Sequence, residues 1–189
     1  MKDKKSLFVI FLVIFIDLLG FGIIIPVLPF FSENVLMMSK TEIGLLTGIY
    51  SLMQFVFTPV WGSLSDVYGR KPILTMSLTG NVIAYTLMAL VFSNVILSIP
   101  LLFIARAFAG FFSANLSAAQ AVVSDITKPE ERSKGMGIIG AAFGLGFVFG
   151  PALGGSLSYY FGYGVPLILS AVFSLIVLCQ YSLAHRCCT

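Results

Sequence analysis

Asp17 and Arg106 each stand alone inside a long run of apolar residues. On a helix rising 1.5 Å per residue, Asp17 lies about 16 Å along its run counted from Ser6, and Arg106 about 12 Å in from the start of its own, so both fall near the middle of a bilayer. A charged side chain there costs at least about 2.5–3.5 kcal/mol, so it faces a partner or a wet cavity rather than lipid. The chemistry open to such a pair is proton exchange. Burial and a nearby guanidinium pull the proton affinity of a carboxyl group in opposite directions, and a cargo or proton that upsets the balance provides coupling. A fixed ion pair joining two helices is the other reading of the same residues. Little else in the chain is reactive. The single histidine is His185 and no metal-ligand spacing or Ser/His/Asp set occurs, so neither an enzyme, a metal centre nor a cofactor is expected. Two of the three cysteines, Cys187 and Cys188, are adjacent, and no disulfide framework is written here.

The elements that must hold these residues follow from composition. Of 189 residues, 58% are hydrophobic and only 10% charged, against about 25% charged in a soluble domain. This excludes a water-soluble globule and a disordered chain, and the absence of a basic stripe excludes nucleic acid as a partner. Runs without Asp, Glu, Lys or Arg cover 43–65, 72–105, 107–124 and 135–184. A crossing helix needs about 20 apolar residues, and no period-2 alternation argues for a barrel. Punctuation by Pro, Gly and charge yields six spans near 6–31, 42–64, 73–93, 98–124, 135–157 and 164–184. The first is too long for a signal peptide and carries Asp17 in mid-run, so it reads as a retained helix. Ser39-Lys40-Thr41-Glu42 has the form of a capping box opening the second span. Thr127-Lys128-Pro129-Glu130 reads as a capped start leading to the fifth. With the N-terminus inside, the inner segments hold Lys2, Lys4, Lys5, Arg70, Lys71, Lys128, Arg132, Lys134 and Arg186, and the outer ones only Lys40. The positive-inside rule then places both termini in the cytoplasm.

A shift of 93 residues lays Gly62-Ser63-Leu64-Ser65-Asp66-Val67-Tyr68-Gly69 on Gly155-Ser156-Leu157-Ser158-Tyr159-Tyr160-Phe161-Gly162, with Gly44 on Gly137 and Leu52 on Leu145. The second and fifth spans cross in opposite senses, so the repeat is inverted, with units at about 6–93 and 98–184. Inverted three-helix repeats are a mark of secondary transporters, whose substrate path lies near the repeat interface. Asp17 falls on Gly110, one turn from Arg106, which lets the two meet across such an interface. Gln54, Asn81, Asn115 and Gln120 either line the same cavity or form hydrogen bonds between helices. The stretch 135–164 holds ten of the eighteen glycines. The spacings Gly140/Gly144, Gly146/Gly150 and Gly150/Gly154 permit close helix approach, and Pro151 removes a backbone hydrogen bond. Plain tight packing and a bendable rocking interface both fit.

These residues resemble the major facilitator superfamily, within it the drug:proton antiporters, and most closely the N-terminal half of bacterial tetracycline-efflux proteins. Gly62 to Lys71 is similar to the family's loop motif G-x-L-a-D-r-x-G-r-k, and Arg106 with Gly110 to R-x-x-x-G. Gly146, Gly150, Pro151, Gly154 and Gly155 match the antiporter motif G-x-x-x-G-P-x-x-G-G, and Asp17 to Pro29 resembles the first-span motif. The resemblance implies an all-α membrane protein of six transmembrane helices in two inverted repeats. Its implied activity is proton-coupled efflux of a small amphipathic drug such as tetracycline across the bacterial inner membrane. Asp66 sits at a helix C-terminus, where a carboxylate needs a cation; Arg70 is the candidate, and Asp125 a second acid for it. By resemblance Gly62, Asp66, Gly69, Arg70 and Asp125 form a cytoplasmic gate; a solvated loop with topogenic charges is the plainer reading. Family members have a second six-helix half, absent from these residues, so the expected partners are protons, a small-molecule substrate, lipid, and a C-terminal half or second half-size chain. A carrier of another solute, or a half that transports nothing alone, are the alternatives. The orientation is checked by impermeant thiol labelling in intact cells: a cysteine replacing Lys40 should react from outside and one replacing Lys134 only after permeabilisation, and the reverse pattern would invert the topology.

Overall fold

The structure is a computed structural model that describes residues 2–127 and 129–186, with side chains within 11–180 except 71, 115–119, 126, 128 and 129. Seven α-helices follow one another: α1 Lys2–Asn34, α2 Lys40–Tyr68, α3 Arg70–Phe92, α4 Ile99–Phe112, α5 Leu116–Ile126, α6 Arg132–Phe161 and α7 Gly164–Arg186. Single 3-10 turns at Ser113–Asn115 and Pro129–Glu131 separate α4 from α5 and lead into α6. No strand occurs among the described residues. Phe11–Asn34, α2, Pro72–Phe92 and α6 are each long and apolar enough to cross a membrane. The fourth crossing is not the unbroken helix over 98–124 expected from hydropathy. It is α4, one tight turn and α5, all against the same neighbours, α2 and α3. Hydropathy misses the break because Ser113, Ala114 and Asn115 do not end the apolar run, and only Ser113 and Asn115 among them are weak helix formers.

Local signals account for most helix ends. Ser39 accepts from the Glu42 amide while the Glu42 carboxylate accepts from the Ser39 amide, so the capping box opens α2. The second expected cap does not form: Thr127 donates its hydroxyl backward to the Val123 carbonyl, and α6 starts at Arg132 behind Glu131, which makes no side-chain cap. The intervening Lys128 lies outside the described residues. Gly69 and Gly162, equivalent under the 93-residue shift, end α2 and α6 with the same φ of 89°, a region open to glycine and strained for other residues.

The packing follows the repeat. α1 lies along α6 as α2 lies along α4 and α5, α3 packs on α7, and α2 touches α3 as lightly as α6 touches α7. Exchanging α1–α3 with α4–α7 reproduces this set of neighbours. Even single contacts recur: a Cβ on Gly110 would meet Met53 Cβ at 3.0 Å, and one on Gly146 would meet Leu18 Cβ at 2.8 Å, and Met53 maps onto Gly146. The glycines of 146–154 bring α6 against α1. A Cβ on Gly150 would stand 2.6 Å from the Gly22 Cα, and one on Gly154 would overlap the Ile23 carbonyl. Gly155, by contrast, has open space beside it.

Apolar side chains form two buried clusters. One, around Leu28, Phe31, Phe92 and Leu102, fills the half away from the termini; the other, around Val13, Trp61, Leu78 and Ile139, fills the half near them. Asn81 and Arg106 are buried with them, as a polar layer within the bundle. The outside is apolar, with Ile83 50% and Ile104 51% exposed, the arrangement a lipid-embedded bundle requires. The α1–α6 seam predicts opposite outcomes for one substitution at adjacent residues. Gly154→Ala should destabilise by about 1–3 kcal/mol through overpacking, whereas Gly155→Ala should be neutral or stabilising by up to about 1 kcal/mol; thermal unfolding in detergent measures both.

Candidate functional site

α1, α2, α5 and α6 surround a cleft of about 470 Å³ at the level of the polar layer. Its walls are mostly apolar and aromatic, with Phe21, Tyr50, Phe55, Phe143 and Phe147 prominent. Its polar lining comes from Asp17, Ser51, Gln54, Thr58, Ser113 and Gln120. Asp17 is the single carboxylate in this wall among the described residues. A few placed polar groups on an apolar surface is the usual make-up of a small-molecule site.

The side chains around Asp17 form a connected set. Asn81, 1% exposed, donates from Nδ2 to Asp17 Oδ1 at 3.1 Å and accepts at Oδ1 from the Ser113 hydroxyl at 3.3 Å. Tyr50 lines the cleft with Asp17 and Ser113 and stacks on Phe21 with ring centroids 5.1 Å apart. The Arg106 guanidinium stands 5.4 Å over the Tyr50 ring, within cation–π range. Arg106 is buried behind the cleft wall, and its Nε and Nη1 atoms have no hydrogen-bond partner among the described residues. Asp17 and Arg106 thus flank one tyrosine, whose side chain is electrostatically coupled to both. Tyr85, also coupled to both, sets its hydroxyl against Gly20, where a Cβ would come within 2.8 Å.

The break in the fourth crossing borders this cleft, and side chains from α2 and α3 donate to its carbonyls. Trp61 Nε1 donates to the Phe111 oxygen at 2.8 Å, Ser77 Oγ to the Phe112 oxygen, and Gln54 Nε2 to the Ser113 oxygen at 3.3 Å. In hydrocarbon such carbonyls have no water to turn to.

At the face carrying both termini, Arg70 Nη1 lies 2.6 Å from Asp66 Oδ1 and Arg70 Nε lies 3.2 Å from Asp125 Oδ2. Arg70 Nη1 also donates to Ser65 Oγ at 2.7 Å, and Arg132 donates to the Ser124 carbonyl at 3.3 Å. The Gly69 corner makes this possible by turning the chain so that Arg70 opens α3 beside the last turn of α2. Gly62 lies one turn earlier, its carbonyl accepting from Ser65 Oγ.

Of the residues expected in a cavity, Gln54 and Gln120 line the cleft, Asn81 stands behind its wall against Asp17, and the side chain of Asn115 lies outside the described residues. Gly146, Gly150, Pro151 and Gly154 face α1 rather than the cleft, and Gly155 borders a smaller recess with Phe30, Tyr159 and Tyr163. Sequence reasoning misses Tyr50, Tyr85 and Ser113. A tyrosine in an apolar span carries no signal of its own, and Ser113 is marked only as one of two weak helix formers flanking Ala114.

Comparison with known proteins accounts for the arrangement. The family model for the Major Facilitator Superfamily matches residues 10–184. The tetracycline resistance protein, class H, of Pasteurella multocida is 40% identical over 174 residues, covering 89% of this chain and 41% of that protein. The class C protein of Escherichia coli is 38% identical, covering 83% and 39%. Among solved structures, that of the human organic anion transporter MFSD10 (TETRAN) superposes with a TM-score of 0.75 at 28% identity, covering 95% of this chain and 47% of that one. The chain spans about two-fifths of the length of the curated relatives it matches. A match across nearly all of these residues, on a bundle of paired inverted repeats, shows that the chain belongs to the major facilitator superfamily.

Proposed function

We propose that the chain acts as the N-terminal half of a proton-coupled antiporter that exports a small amphipathic drug, tetracycline or one like it, across the cytoplasmic membrane. The observation that carries this reading is Asp17, a single carboxylate in a cleft of about 470 Å³ with aromatic walls. Apolar rings receive the flat body of an amphipathic molecule, and one carboxylate takes either a proton or a polar group of the cargo, which makes the two exchange. Arg106 acts on this balance through Tyr50. The similarity to tetracycline resistance proteins supports the cargo class.

The remaining features fit the same cycle. The cluster of Asp66, Arg70 and Asp125 ties the ends of α2, α3 and α5 together and serves as a cytoplasmic gate. These pairs are partly exposed, and exposed pairs are worth about 0.2–1 kcal/mol each, weak enough to open within a transport cycle. The glycine seam of α6 on α1 is a packed surface on which small shifts occur without new clashes. The partner is a second six-helix half, or a second half-size chain, seated on the exposed apolar faces of α2 and α6, around Phe55, Val67 and Val148. Both termini lie in the cytoplasm of a bacterial cell, as the lysine and arginine distribution requires. Export of an organic anion is the second reading, favoured by the named activity of the structural neighbour and by the two unpartnered nitrogens of Arg106.

Everted membrane vesicles containing this chain and a complementary second half test the proposal. Adding tetracycline to vesicles with a preset proton gradient should release protons, and Asp17→Asn should reduce that release at least tenfold, the factor for about 1.4 kcal/mol, with insertion unchanged. Normal drug-for-proton exchange by the Asp17→Asn protein overturns the role of Asp17. Proton movement driven by an organic anion and not by tetracycline selects the second reading.

A further inference from the structure

We infer that Asn81 is a positioning residue that links the charge state of Asp17 to the break at Ser113–Asn115, and through α5 to the Arg70–Asp125 pair. The inference rests on the proton-coupled reading of Asp17 and adds the path by which a proton at mid-membrane is felt at the far end of the fourth crossing.

The path is short and fully engaged. Asn81 gives its amide N–H to Asp17 and its amide oxygen to Ser113, so its orientation is set by both neighbours at once. An ionised carboxylate only accepts hydrogen bonds, whereas a protonated one carries its own O–H donor. When Asp17 takes up a proton, its new O–H needs an acceptor, and Asn81 Oδ1 in this network is already held by the Ser113 hydroxyl. The amide keeps its place with a poorer bond, or turns to offer its oxygen to Asp17 and withdraws it from Ser113.

Ser113 is where such a turn has leverage. It opens the 3-10 turn between α4 and α5, and its backbone carbonyl is held by Gln54 from the cleft wall. The two preceding carbonyls are held by Trp61 and Ser77. The direction in which α5 leaves this turn is therefore tied to side-chain bonds from α2 and α3. α5 is 11 residues long and carries Asp125 one residue before its end, where Asp125 accepts from Arg70 Nε at 3.2 Å. A change of direction at Ser113 is thus read directly in the Arg70–Asp125 distance. Because Gln54 also lines the cleft, cargo that engages its amide acts on the same turn.

The titratable and charged groups around Asp17 are few. α2 contributes Tyr50, α3 contributes Tyr85, and α4 contributes Arg106 through Tyr50. The cleft residues of α5 and α6, Gln120, Phe143 and Phe147, do not titrate. On α7 the described side chains hold only Cys179, which is exposed. A pH response of the turn that disappears in Asp17→Asn therefore belongs to Asp17.

The experiment uses the 189-residue chain in lipid nanodiscs, its three cysteines replaced by serine and one cysteine placed at Ser124 on α5. Alkylation rate against pH reports the opening of this end, and the infrared carbonyl band that vanishes in Asp17→Asn reports the protonation of Asp17. The parent chain should show a step in alkylation of about tenfold, the factor carried by one charge-assisted hydrogen bond, coincident with the Asp17 band. Asn81→Ala and Ser113→Ala should flatten the step to under about twofold. Ser113→Thr, which keeps the hydroxyl, should retain it. In Ser113→Ala the Asp17 band should still titrate, which separates a lost link from a lost fold. If Asp17 titrates and the step survives both alanine variants, or if it titrates and the parent shows no step, this inference fails while the proton-coupled reading stands. If no Asp17 band titrates, both fall.

Discussion

Polar groups inside hydrocarbon must find partners within the protein, and this constraint organises the bundle. A buried carbonyl or charge without a partner costs several kcal/mol in such a medium. Beside the break in the fourth crossing three consecutive carbonyls, at Phe111, Phe112 and Ser113, each accept from a different side chain, Trp61, Ser77 and Gln54. Asn81 uses both ends of its amide, and Arg106 lays its cation on the Tyr50 ring. The polar layer therefore fixes how α2, α3 and α4 meet, and the two apolar clusters fill the space on either side of it.

The inverted repeat shows one backbone device used with two kinds of side chain. α2 and α6 end in the same Gly-Ser-Leu-Ser start and the same glycine at φ 89°. After Gly69 the next residue is Arg70, which draws in Asp66 and Asp125. After Gly162 it is Tyr163, whose ring packs edge-on against Phe31 at 5.6 Å. Ion pairs between solvated groups are readily broken, whereas rings at a membrane boundary hold by packing. The two ends of the bundle thus have similar corners of unequal strength and opposite response to salt.

Close approach along α6 has a different physical origin from the polar layer. Between lipid-embedded helices the hydrophobic effect contributes little, and contact depends on how near the backbones come. Gly22, Gly146, Gly150 and Gly154 remove the side chains that would otherwise hold α1 and α6 apart. The glycine spacing was legible in the chain. That Gly155 falls outside the seam was not, because helical phase is decided by which neighbour α6 meets.

Much of the architecture was readable before any coordinates. Composition alone called for a membrane bundle, since so few charges cannot solvate a globule of this size. Hydropathy located six crossings, the 93-residue shift paired them as inverted units, and the Ser39–Glu42 cap and Gly69 corner followed from local chemistry. These properties depend on residue type and short spacing, which a sequence records directly. The path from Asp17 through Asn81 to Ser113, the tyrosine between Asp17 and Arg106, and the break in the fourth crossing belong to the tertiary structure. Each joins residues 30 or more positions apart, and a hydrogen bond or cation–π contact depends on ångström-scale placement that only packing of the helices supplies.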